Sequence, residues 1–283
     1  MHQPVPAEGF SRAFPYVFPV AHPNPECMPS YSLPPPRDPV LTFLSGLFEG
    51  VLGVAAALAL ALFVLPSANY LSLATDLEIC TAFAGAAVFF YLWFRDRCGT
   101  GLLYAAGAFA LCGVANIAWY AAVLTGAGTF TFPGLIDMGF VASILLLSSA
   151  YPRLFPERQV RGLVLFAILL LMLVIPLAIF VTGGISRQTL MILLYFFASG
   201  SIIITELNHV PRDNPKALVG TFLFALAFLI YPLFETFFSG NPYLSLVGAL
   251  VVAGLSLIVL GLLPPATCTT SPGPAVTDPP GDS

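Results

Sequence analysis

Residues 151–182 read YPRLFPERQVRGLVLFAILLLMLVIPLAIFVT: three arginines, then a run from Gly162 to Thr182 without a charge. An α-helix rises 1.5 Å per residue, so about 20 apolar residues cross the ~30 Å hydrocarbon core of a bilayer. The run is therefore expected to be a membrane span. Lys and Arg resist translocation, so Arg153, Arg158 and Arg161 mark its beginning as cytoplasmic. Seven further runs can be read on either side, giving eight spans near 42–65, 77–94, 102–124, 132–150, 162–182, 189–209, 217–238 and 244–263. Composition agrees, with 58% hydrophobic and 8% charged residues. Soluble domains carry about 25% charged residues.

The loop charges arrange these spans. Arg12, Arg37, Arg95, Arg97, Arg153, Arg158, Arg161, Arg212 and Lys216 fall on one side, and Arg187 alone on the other. Nine of the ten cations are thus expected in the cytoplasm, with both termini. The expected architecture is an all-α polytopic transmembrane bundle over 41–263. A Pro-rich, disordered cytoplasmic tail over 1–40 and a second disordered cytoplasmic tail over 264–283 would flank it. Spans of the second half follow those of the first by 112–120 residues, and Gly107–Gly126 resembles Gly220–Gly240. A parallel repeat of four plus four spans would give that pattern.

Local features add detail. Pro176 and Pro232 lie inside spans and are expected to kink them. Gly46-x-x-x-Gly50, followed by Gly53, suits close helix packing, within the bundle or in a homodimer. The five cysteines form no CxxC pair, and neither a cofactor nor a metal site is expected. No basic patch suits nucleic acid. No nucleophile elbow, zincin motif, P-loop or dinucleotide motif is present.

Polar groups inside a bilayer cost about 2.5–3.5 kcal/mol each at mid-depth, so each asks for a reason. Asp76 and Glu78 are expected at the outer mouth of the second span. Asp137 and Glu235 should lie one turn below the outer surface, and Asn116 about two turns below it. Together they suggest a ligand-binding vestibule of Asn116, Tyr120, Asp137, Tyr231 and Glu235; alternatively, each acid reaches interfacial water separately. Glu49, between Gly46 and Gly53, is expected to be buried in the first span, as a proton-coupling group or in a structural interhelical bond. Glu206-x-x-His209 has the spacing of half a di-iron site, but without a second copy it fits a helix-end role better.

The stretches Gly113–Tyr120 (GVANIAWY), Phe132–Phe140 (FPGLIDMGF) and Ala150-Tyr151-Pro152 carry a resemblance. They resemble the membrane-embedded sensory region found ahead of histidine kinase and diguanylate cyclase output domains in bacteria and archaea. This chain departs from that pattern by placing Asn116 where an acid is usual, and by lacking an output domain. The resemblance implies a sensory module of the cell membrane, with a small-molecule or lipid ligand on the outer side and a cytoplasmic signalling partner. The kinks, the repeat and Glu49 suggest a small-molecule or proton-coupled transporter instead. An intramembrane lipid-modifying enzyme would need a nucleophile and base that the outer side does not offer.

Overall fold

The computed structural model describes residues 39–64, 69–96, 99–125, 134–155, 186–237 and 244–263, with Gly184 and parts of 170–181. Seven helices are described in full: α1 (Pro39–Val64), α2 (Asn69–Asp96), α3 (Gly101–Leu124), α4 (Leu135–Leu154), α5 (Arg187–His209), α6 (Pro215–Phe237) and α7 (Leu244–Leu262). All seven are long and apolar enough to cross a bilayer, and no strand occurs among the described residues. The chain folds as an integral membrane helix bundle. Residues 1–38 and 264–283, Pro133 and Pro176 lie outside the described residues, and α1 starts at Pro39, two residues inside the expected N-terminal tail.

Local chemistry sets several helix starts. Ser186 Oγ accepts from the Thr189 N–H at 3.0 Å, capping α5. Asn214 Oδ1 accepts from the Ala217 N–H at 3.2 Å, and Pro215 opens α6, where a missing N–H costs nothing. The Asp137 carboxylate, in the first turn of α4, accepts from the Gly134 N–H at 2.6 Å. The second span departs from expectation by starting at Asn69 rather than near 77. Asp76 and Glu78 therefore lie within the helix and not at its mouth.

Helix contacts close a ring in the order α2, α3, α4, α5, α6, α7 and back to α2. α1 packs outside it against α7 and α2. It buries Phe48, Ala55, Leu58 and Leu62, spaced seven, three and four residues apart, the stripe expected of one helical face. Along α4 and α5 the contacts advance together: Asp137 with Tyr195, Ser148 with Ser201 and Thr205, Phe155 with His209. Those two neighbours run parallel. Between them in sequence, Leu173–Ile175 and other described residues are helical, and the Gly184 N–H bonds to the Phe180 carbonyl at 3.0 Å. α7 and α2 are also parallel, since Gly248 meets Ala74 and Glu78 while Val259 meets Gly85.

Apolar side chains gain little from meeting one another in lipid, so close contact and interhelical hydrogen bonds must hold the ring. The tightest seam joins α6 to α7. A Cβ on Gly254 would stand 2.7 Å from the Phe224 nitrogen and 2.9 Å from the Gly220 oxygen. One on Gly220 would stand 2.7 Å from the Ile258 nitrogen. One helical repeat away, Gly261 packs on the Ala217 backbone, and its carbonyl accepts from Asn214 Nδ2 at 2.7 Å. Gly46, Gly50 and Gly53 behave differently: among the described residues, no atom beyond their own stretch of helix lies within 4 Å of a Cβ placed on any of them. The glycines that meet a neighbouring helix backbone most closely thus belong to α6 and α7, and those of α1 make no such contact with the described residues of this chain. A Gly-x-x-x-Gly spacing permits approach but cannot say which helix uses it.

Gly254→Val should force α6 from α7 and cost about 1–3 kcal/mol, the range for overpacked cores. Thermal unfolding in detergent should show Tm falling by several degrees, while Gly50→Val leaves it unchanged. Equal effects would show that the seam is misplaced.

Candidate functional site

Inside the ring, towards the end where α2, α4, α5 and α7 begin, aromatic side chains fill the axis. Phe224 and Phe228 meet edge to face at 5.0 Å, and Tyr195 stacks on Phe228 at 6.0 Å with rings 6° from parallel. Phe140 lies 5.4 Å from Phe228 and 6.3 Å from Tyr231. Such pairs gain from quadrupole alignment beyond simple contact. They also form a floor, because the space above them is open.

That space is a small, half-open pocket with an interior of about 40 Å³, room for a few water molecules or for one small group entering from its mouth. α2 contributes Leu71, Thr75 and Glu78, and α3 contributes Asn116 and Trp119. Phe140, Phe228 and Tyr231 bound it on the α4 and α6 side, and Gly248 on the α7 side. Glu78 is only 9% exposed. Nine residues into α2, it lies about 14 Å along the helix from Asn69. Gly248 makes room for it, since a Cβ there would collide with Glu78 Oε1. Asn116 Nδ2 donates to the Cys112 carbonyl at 3.2 Å, and the same side chain hydrogen-bonds Glu78. The carboxylate is held in place from two sides.

Behind the pocket wall lies a second carboxylate. Asp137 is 3% exposed and accepts from the Tyr195 hydroxyl at 3.0 Å as well as from Gly134. Tyr231 is a further hydrogen-bond partner of the same group. Glu235, half-buried one turn along α6, lies close enough for electrostatic interaction with Asp137. Tyr231 feels the charges of Asp137, Glu235 and Glu78 together. Among the described residues, no Lys, Arg or His lines the pocket.

The five vestibule residues are distributed as follows. Asn116 and Tyr231 line the pocket; Asp137 and Glu235 sit together behind Tyr231; Tyr120 is half-buried outside the pocket lining, where Trp119 stands in its place. Asp76 points outward and is exposed. The residues absent from the sequence-based vestibule are Glu78, Trp119, Tyr195 and Gly248. Glu78 carried a signal, as a charge in an apolar helix, but placing the helix start at 77 left it at the surface. Nothing local distinguishes Tyr195 or Gly248, whose roles arise only when α5 meets α4 and α7 meets α2.

The other expected sites resolve separately. Glu49 was expected to be buried in α1; its side chain is instead 59% exposed and pairs with Lys216 of α6 at 3.6 Å. The first turns of α1 extend far enough for Glu49 to meet a cation, and an exposed pair of this kind contributes at most about 1 kcal/mol. His209 turns Nδ1 to the Phe155 carbonyl at 3.3 Å, at the end of α4. Glu206 points into the bundle, 3% exposed, with Oε1 lacking a hydrogen-bond partner among the described residues. Among the described residues no group of His, Cys, Asp and Glu is placed to hold a metal ion. Comparison with known proteins finds no matching family model, no similar curated protein and no similar solved structure.

The Asp137–Tyr195 bond should be measurable by a double-mutant cycle with Asp137→Asn and Tyr195→Phe. Interhelical bonds in membranes couple by about 0.6 kcal/mol on average and up to about 1.7. Unfolding free energies in bicelles should show coupling in that range, and additive effects would mean that the pair does not interact.

Proposed function

We propose that this chain is a sensor-like ligand-binding module of the cell membrane, with eight crossings and both termini in the cytoplasm. The observation that carries this proposal is the pocket inside the ring, lined by aromatic rings around the fixed, buried Glu78 carboxylate. The orientation is supported by the described cations: Arg95, Arg153, Arg212 and Lys216 share one end of the bundle, and Arg187 begins α5 at the other. The pocket then opens towards the outside. The order of helices around the ring supports a parallel repeat, because a half-turn carries α2, α3 and α4 onto α5, α6 and α7 with every neighbour contact preserved.

A route for the signal runs along α6. Tyr231 forms part of the pocket wall, and the next residue, Pro232, removes the hydrogen bond that would tie the helix to the Phe228 carbonyl. Further along, Thr221 bonds with Tyr151, and Lys216 meets Glu49 at the cytoplasmic end. A ligand that pulls on Tyr231 would move a helix whose far end faces a signalling partner. To switch the population from one packing to the other, it must prefer one by several kcal/mol.

One observation favours transport as the second possibility. Glu206, Tyr151, Thr221, Ser148 and Thr205 form another polar group in the opposite half of the same ring. A transporter would use it as an inner station, with Glu206 in the part first expected of Glu49. Uptake of a pocket ligand into proteoliposomes, lost with Glu206→Gln, would decide for transport.

Trp119 lines the pocket and Trp93 is the only other tryptophan. In Trp93→Phe protein, ligand from a metabolite extract should shift the emission of Trp119 saturably, and Gly248→Val, which crowds Glu78, should abolish the response. If no extract fraction moves the emission, the ligand-binding proposal fails. Orientation is checked separately by single cysteines in a background lacking native thiols. Impermeant maleimide should label Thr125→Cys and Ser186→Cys from outside intact cells, but not Asp213→Cys. Labelling of the last position alone would invert the topology.

A further inference from the structure

The chemistry of the pocket walls narrows what can occupy it. Its charged group is a carboxylate, Glu78, whose hydrogen bond from Asn116 and seat against Gly248 fix it facing the cavity. Its other large walls are π-faces and edges: Trp119, Tyr231, Phe140 and Phe228. No positive side chain is among the described residues that line the cavity, and two more carboxyls, Asp137 and Glu235, lie behind Tyr231. An anion entering here would meet only repulsion. A neutral ligand would draw on neither the carboxylate's capacity for charge nor the ring quadrupoles. An ammonium group answers both features, because it pairs with the carboxylate and is attracted to the ring faces.

We propose that the pocket binds an alkylammonium group, with Glu78 as its counterion and Trp119 and Tyr231 as its aromatic walls. This rests on the ligand-binding function proposed above and specifies the chemistry of that ligand. The group could reach the site on a soluble amine or on the headgroup of a membrane lipid. Both sources present the same cation to Glu78. The Asn116 amide, anchored on the Cys112 carbonyl, acts as a positioning residue for the carboxylate.

The test uses the full chain carrying Trp93→Phe, with Trp119 emission as readout. Choline and ethanolamine are titrated against 3,3-dimethylbutan-1-ol, the uncharged isostere of choline. A second arm places the protein in nanodiscs of phosphatidylglycerol alone, or with phosphatidylcholine or phosphatidylethanolamine added. Support is a saturable response to the ammonium compounds, or to one of the ammonium lipids, together with a response to the alcohol weaker by roughly ten-fold or more. Glu78→Gln should weaken the ammonium response by a similar factor, whereas Asp76→Asn, on the exposed side of the same helix, leaves it unchanged. Gly248→Ala, which keeps the carboxylate but displaces it, should weaken binding as well, so the result does not hang on one variant folding normally. An alcohol response equal to that of choline, or full binding by a folded Glu78→Gln protein, overturns the ammonium assignment while leaving the pocket as a ligand site. Silence towards every soluble amine and both lipids also overturns it. If an extract fraction still moves Trp119, the general function stands without it; if none does, both fail.

Discussion

A carboxylate in hydrocarbon has no water to turn to, so the protein must supply every partner it has. That constraint organises this bundle. Six helices close on themselves, and their shared interior is the only space among them where Glu78, Asp137 and Glu206 can be kept from lipid. Asp137 meets the demand by collecting donors from its own helix start, from α5 and from α6. Glu78 meets it with one amide and an open cavity. The difference between a satisfied acid and one facing empty space separates a structural group from a candidate binding group.

Much of the fold was legible because the bilayer restricts the options so strongly. The lengths of the seven described apolar helices follow from crossing a fixed thickness. The packing was not legible to the same degree. Glycine spacing pointed to α1, whereas the close seam lies between α6 and α7, where Gly220, Gly254 and Gly261 meet backbone across the interface. In a helix that is apolar on all sides, hydropathy carries no information about which side faces protein.

The site divides along the same line. Asn116, Asp137, Tyr231 and Glu235 could be found because a polar residue deep in an apolar run is conspicuous, and helical rise places such residues at comparable depth. Their grouping around Tyr231 follows from that depth. Trp119 and Tyr120 are three and four residues beyond Asn116, and helical geometry allows either to share its side. Gly248 became meaningful only opposite Glu78. Glu49 misled because depth was counted from a span start that left no allowance for the part of α1 extending towards Lys216.

Ring closure between α2 and α7 has a consequence for how the protein is made. Glu78 emerges from the ribosome 166 residues before Leu244, the first residue of the helix that will pack beside it. At about 5–20 residues per second, that leaves roughly 10–30 s in which α2 has no α7 to lie against. During that interval the acid must be sheltered by α3, by a bent and hydrated bilayer, or by the insertion machinery. Final assembly of the pocket therefore waits for α7, long after α2 has entered the bilayer.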